Sequence, residues 1–426
     1  MVLLVMKDPE EDRQSYFQGD VWHALLALLP PGPELERRAR TTGAFRRKRG
    51  VRKATDLLRV ALSYGFCGLS FDGASVWARA NYSAQLCKSA VIRRLRRCGD
   101  WLEGLLLEKL SARLPTAELG GLKVRLVDAT RVAQPGSKGA AWRVHACYDP
   151  ASGKLCELFL SDHKGGERLN RFTVQPGELF VGDRSYGTRP GIAHVAQRGG
   201  LFLVRTTWYH APLETADGGN FNLFATLRSL KGDEVGDFGV RVAPDERHGI
   251  EAIPCRLIAT RKPPEVAEAA KKRILAEAKR KGVKVKPQTL EACEYFFVLT
   301  SLQKTFDAEA VLSLYRLRWQ IEIEFKRLKS LLRLDDLRAL RPESIRAALA
   351  AKLLGAVLIQ ELLDAPKTDT RHWTLSQALF ESARQAILGT DAAARWLTDK
   401  ASRMLLPAPD SRKRKLQTPS IRHSLA

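Results

Sequence analysis

The chain has 426 residues, and its 70 Lys and Arg exceed its 47 Asp and Glu by enough to give a formal net charge of +23. Such a surplus predicts a polyanionic partner, with nucleic acid the leading candidate, although a ribosomal-type or merely soluble basic protein has the same balance. The sequence contains no apolar run of membrane-spanning length and its seven cysteines form no CxxC pair, which argues against a spanning helix, a disulfide framework and a zinc site.

A dense run of cations in "FRRKRGVRK" follows an early proline-rich break. We interpret its members Arg46, Arg47, Lys48 and Arg49 as a candidate arm that binds DNA phosphates.

Apolar residues at helical spacing predict three consecutive helices in "TDLLRVALSYGF", "SFDGASVWARANY" and "KSAVIRRLRRCGDWLEGLLLEKL". The third places Arg93, Arg94 and Arg97 beside Val91 and Leu95, as the recognition helix of a helix-turn-helix would. A plain solvated helix face gives the same pattern, so both interpretations stay open. We predict an all-helical DNA-binding module over residues 1–113.

From residue 121 the pattern changes to strands, which predicts an α/β fold with the order β-β-β-α-β over residues 114–200. Residues 201–300 predict a β-rich insertion that includes the exposed, basic helix "PPEVAEAAKKRILAEAKRKGVKVKP". Residues 301–345 contain the helical stretch "LYRLRWQIEIEFKRLKSLL", and residues 346–426 predict a helical C-terminal region with a basic tail.

Two acids stand at the ends of apolar strands. Asp128 follows "VRLV" and Asp183 follows "LFVG". Aspartate is depleted within strands, so an acid at such a position is either a turn former or a ligand held on a rigid edge. Each aspartate on its own leaves both interpretations open.

The stretch from Leu314 to Leu332 adds a third acid. On one continuous helix, Tyr315, Arg318, Glu322 and Lys329 would form a single stripe beside the apolar face. An ordinary ion pair between Arg318 and Glu322 would explain two of these residues but not the other two.

Phosphoryl transfer gives a reason for the whole set. Two divalent cations need several hard oxygen ligands, which Asp128, Asp183 and Glu322 would supply. Arg318 suits a bidentate contact with phosphate and Lys329 a point charge.

The same residues carry a resemblance. Tyr315, Arg318, Glu322 and Lys329 match the pattern Y-x2-R-x3-E-x6-K of the insertion sequence four (IS-four) family of bacterial DDE transposases. The segments "VDATRV" and "VGDRSYG" resemble the two aspartate motifs of that family. The helix pattern is specific, whereas each aspartate motif is convincing only together with it.

The resemblance implies an RNase H-like core interrupted by a β-rich insertion before the helix of the third acid. It implies two Mg²⁺ or Mn²⁺ ions held by Asp128, Asp183 and Glu322, and phosphate contacts from Tyr315, Arg318 and Lys329. It also implies a dimer acting on double-stranded DNA, at the inverted-repeat ends of its element and at the target. Cleavage would pass through a hairpin intermediate. We expect no membrane partner.

Hairpin-forming relatives stack a flipped base on a Trp at the head of the strand that enters "LTS". Here that position is held by Phe296, with Tyr295 adjacent, so either ring is a candidate. Trp208 is a third candidate, although a buried structural Trp fits it equally.

We therefore expect a cytoplasmic DDE transposase of the bacterial nucleoid. The alternatives are another RNase H-like nuclease using the same acids, and a catalytically inactive DNA-binding relative that inhibits transposition.

Overall fold

The computed structural model describes residues 21–82, 86–111, 121–137, 140–334 and 336–364, and residues 380–389 except 382 and 386. The predicted basic tail and most of the predicted region 346–426 lie outside these ranges. The chain divides into two compact units, residues 1–98 with 358–426, and residues 99–357.

The described N-terminal part of the first unit is helical, as predicted. Its helices are α1 Val21–Ala27, α2 Gly32–Thr41, α3 Ala54–Gly65, α4 Phe71–Tyr82 and α5 Lys88–Leu95. At the start of α3, the carboxylate of Asp56 accepts a hydrogen bond of 3.2 Å from the backbone N–H of Lys53. Leu57, Leu58 and Leu62 then recur on the buried face of that helix.

The prediction of one helix over residues 88–110 is wrong. Helix α5 ends at Leu95, and α6 Gly99–Ser111 begins after a turn in which Cys98 N–H donates to the Leu95 carbonyl at 3.0 Å. Gly99 is a poor helix-interior residue, which favours a break at this point. Helix α6 belongs to the second unit, whereas α5 belongs to the first.

The second unit is built on one sheet of nine strands with the order β3-β2-β1-β4-β5-β9-β8-β7-β6. The strands are β1 Lys123–Ala133, β2 Ala140–Asp149, β3 Lys154–Asp162, β4 Glu178–Gly182, β5 Leu201–Arg205, β6 Leu213–Thr215, β7 Val235–Val242, β8 Ile253–Arg261 and β9 Tyr295–Thr300. The predicted order β-β-β-α-β is present, with the helical piece reduced to a 3-10 turn at Leu169–Arg171.

The centre of the sheet is parallel and its flanks are antiparallel. Strands β1, β4 and β5 run in the same direction, whereas β2 and β3 form a meander beside β1. All five residues of β4 are buried, as expected for a strand covered on both faces.

The region 201–300, predicted to be a β-rich insertion, contains strands β5 to β9, which belong to this same sheet. Strand β9 pairs with β5 in the antiparallel direction, and β8, β7 and β6 follow in turn. The predicted basic helix is present between β8 and β9 as α9 Pro264–Lys281.

The other helices of this part are α7 Arg189–Ala196, α8 Leu223–Ser229, α10 Pro287–Glu291, α11 Ala308–Arg316, α12 Trp319–Leu332 and α13 Pro342–Asp364. Buried Lys352 on α13 donates from Nζ to the Leu332 and Arg333 carbonyls at 2.9 and 2.5 Å, and thereby caps the C-terminus of α12. Within the described chain, none of these helices combines the length and the apolarity that crossing a bilayer requires.

Candidate active site

The two predicted aspartates lie side by side at the centre of the sheet. Val127 on β1 is paired with Gly182 on β4, so Asp128 and Asp183 each stand one residue further along neighbouring parallel strands. Such strands are about 4.8 Å apart. Asp183 also forms a turn, because its Oδ1 accepts a hydrogen bond of 2.8 Å from Ser185 N–H.

The turn after β4 has a glycine on each side of it. A Cβ at Gly182 would lie 2.8 Å from the Cβ of Tyr186, whose side chain is fully buried. A Cβ at Gly187 would collide with the carbonyl oxygen of Arg205 at the end of β5. The two glycines of the motif "VGDRSYG" therefore permit close approaches, of Tyr186 at Gly182 and of the β5 backbone at Gly187.

The surroundings of Asp128 change its pKa. Burial and the neighbouring charge of Asp183 together raise the pKa of Asp128 to about 7, although the hydrogen bond from Ala129 N–H and the charge of Arg318 oppose the shift. The pair therefore favours a cation nearby.

Arg318 connects the third acid to the first. Its Nη2 lies 2.6 Å from Glu322 Oε1, and its Nη1 lies 3.9 Å from Asp128 Oδ2. The side chains of Asp128, Arg318 and Glu322 are 16, 18 and 29 % exposed. Asp128 thus has Asp183 beside it on the neighbouring strand, and Arg318 links it to Glu322.

The stretch that carries Glu322 is not one helix, contrary to the prediction. Helix α11 ends at Arg316 and α12 begins at Trp319, with Arg318 N–H donating to the Tyr315 carbonyl at 3.1 Å. This hydrogen bond joins residue i to residue i−3, as in a 3-10 helix, so the backbone is locally wound more tightly than in an α-helix. Arg318 itself has α-helical dihedral angles.

Tyr315 and Phe296 form an aromatic contact beside the acids. Their ring centroids are 5.4 Å apart, and the Arg205 guanidinium carbon lies 5.3 Å from the centre of the Phe296 ring. Tyr315 is 8 % exposed, and burial raises the pKa of its phenol. The other candidate ring, Tyr295, is buried and its hydroxyl accepts a hydrogen bond from Arg261.

Lys329 lies on the last turn of α12 and is half-buried. It is seven residues from Glu322, which is about 10 Å along a helix axis.

The remaining predicted DNA contacts lie in the first unit. Arg46, Arg47, Lys48 and Arg49 are exposed in a non-helical segment between α2 and α3, and Lys48 Nζ lies 3.7 Å from Glu36. Arg93 and Arg97 are exposed.

Arg94 differs from its neighbours because its guanidinium donates to the Arg49 carbonyl. Burial, together with the charges of Arg93 and Arg97, lowers the pKa of Arg94.

The carboxylates of Asp128, Asp183 and Glu322 are chemically suited to a hard divalent cation, since carboxylate oxygens are the ligands that Mg²⁺ prefers. Among the described residues, however, no three His, Cys, Asp or Glu side chains are arranged closely enough to hold one ion together. Glu322 is turned towards Arg318 instead.

Arg205 is a site residue that sequence reasoning missed. It ends β5, the next parallel strand after β4, and it is buried enough for its pKa to be lowered. Its position follows the same rule as that of Asp183, a charged residue at the end of an apolar strand, and that rule applied to cations would have found it.

The chain resembles known transposases over most of its length. A family model described as the transposase DDE domain matches residues 119–358. InsL of insertion sequence element IS186A from Escherichia coli K12 is 39% identical over 351 residues, covering 82% of this chain and 95% of the relative. The transposase for insertion sequence element IS421 from Escherichia coli is also 39% identical, over 352 residues.

A cryo-EM structure of a piggyBac transposase synaptic complex with hairpin DNA aligns over 98% of this chain and 89% of that chain. Its TM-score is 0.42 at 9% identity, a similarity too low to establish a shared fold.

Proposed function

Since this chain belongs to the DDE transposase family, in agreement with the IS-four resemblance, we propose that it is a cut-and-paste transposase. Its substrates are the terminal inverted repeats of its own insertion sequence and a target duplex. The observation that carries this proposal is the placement of Asp128 beside Asp183 on neighbouring parallel strands, with Arg318 linking Asp128 to Glu322.

The sheet supports an RNase H-like core. Strands β1 to β5 have the order 3-2-1-4-5 with a parallel centre, and both aspartates stand on that parallel centre. In open α/β sheets, sites lie beyond the carboxyl ends of parallel strands, which is where Asp183 is found.

Asp128, Asp183 and Glu322 are the residues that would hold divalent metal, Mg²⁺ or Mn²⁺, with two ions per site. When bound, such ions activate the attacking oxygen and stabilise the leaving one in phosphoryl transfer. Metal held by Glu322 would compete with its ion pair to Arg318, and the guanidinium would then be available for a bidentate contact with phosphate.

The neighbouring side chains position the DNA. Lys329 provides a point charge for a phosphate further along α12, and Tyr315 a phenol at the head of the site. Phe296 is the ring on which an unpaired base stacks, because it is less buried than Tyr295.

The reaction combines hydrolysis with strand transfer. Water first hydrolyses one strand at the element end, and the freed 3′-hydroxyl attacks the opposite strand, which forms a hairpin and releases the flanking DNA. Water then hydrolyses the hairpin and restores the 3′-hydroxyl, which joins the target DNA as a target phosphodiester bond breaks. Two protomers, one on each end, make the complex that coordinates these steps.

The substitution Glu322→Gln tests the assignment of the third acid. It removes the charge without changing the volume, so we expect Mg²⁺-dependent cleavage of a labelled element end to fall at least a hundredfold, as is common when a catalytic electrostatic group is lost. Binding of the same end, measured by gel shift in EDTA, should remain within about threefold of the unsubstituted chain, because the substitution removes no phosphate contact.

Glu309→Gln is the matched control, since Glu309 is an exposed acid on α11. It should leave both cleavage and binding unchanged. Full cleavage by the Glu322→Gln variant would contradict the proposal.

A further inference from the structure

Two cysteines lie next to each other in the core of the second unit. Cys147 is on β2 and Cys156 is on β3, and both side chains are buried in the same apolar cluster. Their thiols are hydrogen-bonded to each other. No step of the proposed DNA cleavage uses these two sulfur atoms, so the pair is a reactive group without an assigned role.

A β-bulge brings the two sulfur atoms together. Cys147 pairs with Glu157, and the next pair along the ladder is Tyr148 with Leu155. Cys156 is therefore left without a partner on β2. In a regular ladder neighbouring residues face opposite sides of the sheet, so Cys156 would point away from the side that Glu157 shares with Cys147. A bulge re-aims side chains, and here it makes a dithiol from two residues that regular pairing would separate.

A buried cation lies beside this dithiol. The side chain of Arg125 on β1 is fully buried, and its Nη2 donates to Glu157 Oε1 at 2.8 Å. Among the described residues, its Nε and Nη1 have no hydrogen-bond acceptor. Buried donors without an acceptor are costly, and a thiolate on Cys156 would supply the anion that this guanidinium lacks.

The surroundings make one thiol more acidic than the other. The hydrogen bond from the Cys147 thiol lowers the pKa of Cys156, and the charge of Arg125 lowers it too, although burial opposes the shift. Burial and the hydrogen bond to Cys156 raise the pKa of Cys147. Because the thiolate is the nucleophilic form of cysteine, Cys156 is the sulfur suited to attack and Cys147 the one suited to follow.

The position of β3 gives a small reagent a route to these sulfur atoms. Strand β3 is at the edge of the nine-stranded sheet, and Cys156 is its third residue. Local opening of an edge element requires less free energy than unfolding of the whole unit. A small neutral oxidant can therefore reach Cys156 while the rest of the sheet stays folded.

We propose that Cys147 and Cys156 are a modification site that a hydroperoxide oxidises to a reversible disulfide. The Cys156 thiolate attacks one oxygen of hydrogen peroxide and the O–O bond breaks. This gives a sulfenic acid, and the hydroxide that leaves takes up the proton lost by the thiol to form water. The Cys147 thiol then attacks the Cys156 sulfur, and the sulfenic oxygen leaves with the Cys147 proton as a second water.

The overall reaction moves two electrons from the two sulfur atoms to the peroxide. A dithiol reductant returns them by thiol–disulfide exchange, so the modification is reversible. This site is independent of the proposed function, because it involves neither DNA nor a divalent metal.

Peptide mass spectrometry of the full chain tests this proposal. Lys154 lies between the two cysteines, so trypsin releases residues 144–154 and 155–164 as separate peptides with one cysteine each. The folded chain is treated with hydrogen peroxide, denatured in iodoacetamide and digested. We expect one species that is two hydrogens lighter than the sum of the two peptides, with loss of most of their separately alkylated forms. Dithiothreitol before alkylation should restore both.

Serine variants separate the roles of the two sulfur atoms. With Cys147→Ser, Cys156 should remain as a sulfenic acid that dimedone captures, whereas with Cys156→Ser, Cys147 should stay unoxidised. Cys255→Ser is the matched control. It removes a buried cysteine of β8, whose pKa burial raises to about 12, and should leave the disulfide unchanged.

Two results would overturn the proposal. One is recovery of both peptides of the unsubstituted chain in alkylated form after peroxide treatment. The other is dimedone capture at Cys147 of the Cys156→Ser variant but not at Cys156 of the Cys147→Ser variant. Because the assay contains no DNA and no metal, neither result bears on the Glu322→Gln test.

Discussion

At the scale of single residues, the sequence predicts which acids lie near one another but not all of the contacts that surround them. Asp183 directly follows β4, because a charged residue is excluded from a buried strand and so marks its boundary. The prediction that Asp128 ends its strand is wrong, since β1 continues to Ala133 by pairing with β2. The ion pair of Arg318 with Glu322 follows from their spacing along the chain. The approach of Arg318 to Asp128 could not be foreseen, since it depends on how a distant helix approaches β1. Residue spacing predicts which side chains share a face of one helix or strand. It does not predict contacts between elements, which depend on tertiary packing.

His145 gives the chain a pH-dependent stability. It is fully buried on β2, and its Nε2 lies 2.8 Å from Ser161 Oγ. Burial lowers its pKa from 6.5 to about 3, and the charges of Arg171 and Arg143 act in the same direction. Between those two values only the unfolded chain takes up a proton. The free energy of unfolding should therefore fall as the pH drops below 6.5, by at most about 1.4 kcal/mol per pH unit from this group.

Urea unfolding at pH 7, 6 and 5 measures this effect. His145→Leu should give a shallower loss of stability towards pH 5 than the unsubstituted chain, whatever its stability at pH 7. His163→Leu is the control, because His163 is exposed and its removal should leave the profile parallel to that of the unsubstituted chain. Parallel profiles for all three proteins would contradict the prediction.

At the scale of elements, the sequence predicts strands and helices more reliably than their breaks. Leu317 and Arg318 are both good helix formers, so nothing in "LYRLRWQ" signals that α11 ends and α12 begins there. The sequence likewise does not predict a cleft of about 610 Å³ in the second unit, because its walls come from segments spread between residues 184 and 297. The RNase H-like assignment and the individual DNA contacts remain predictions.

Gly187 tests whether the turn that carries Asp183 depends on close backbone contact. A methyl group there meets the Arg205 carbonyl, so Gly187→Ala should lower the free energy of unfolding by about 1–3 kcal/mol, the usual cost of overpacking. Gly239→Ala on β7 is the matched control, because no atom lies within 4 Å of the position of its Cβ. Thermal unfolding measures both variants, and equal melting temperatures would remove the steric explanation.

At the scale of the whole molecule, the net charge of +23 is distributed over a helical unit with an exposed cationic segment and a sheet unit with the acids. Charge by itself supplies affinity for DNA without sequence preference. Sequence preference requires contacts with base edges, which the surplus of cations does not identify.

Replacing Arg46, Arg47, Lys48 and Arg49 by Gln should reduce the salt dependence of DNA binding. Each lost phosphate contact lowers the slope of log K against log salt concentration by about 0.9. Gel shifts between 50 and 200 mM salt measure the slope, with the Gln variants of Lys231, Arg247, Lys304 and Arg198, all exposed, as an equal change of charge elsewhere. If the slope of the variant at Arg46 to Arg49 equals that of the unsubstituted chain, these four residues make no phosphate contacts and the segment is simply solvated.

The pairing of β9 with β5 has a consequence for how such a chain can change during evolution. Strand β5 is paired on one side by β4 and on the other by β9, through Leu203, Val204 and Arg205. Excision of the tract from β6 to β9 would leave a buried, apolar strand as an open edge, which templates pairing with other chains. The tract can therefore be enlarged at its turns or at α9 without harm, whereas a shortened relative must provide another cover for that edge or aggregate.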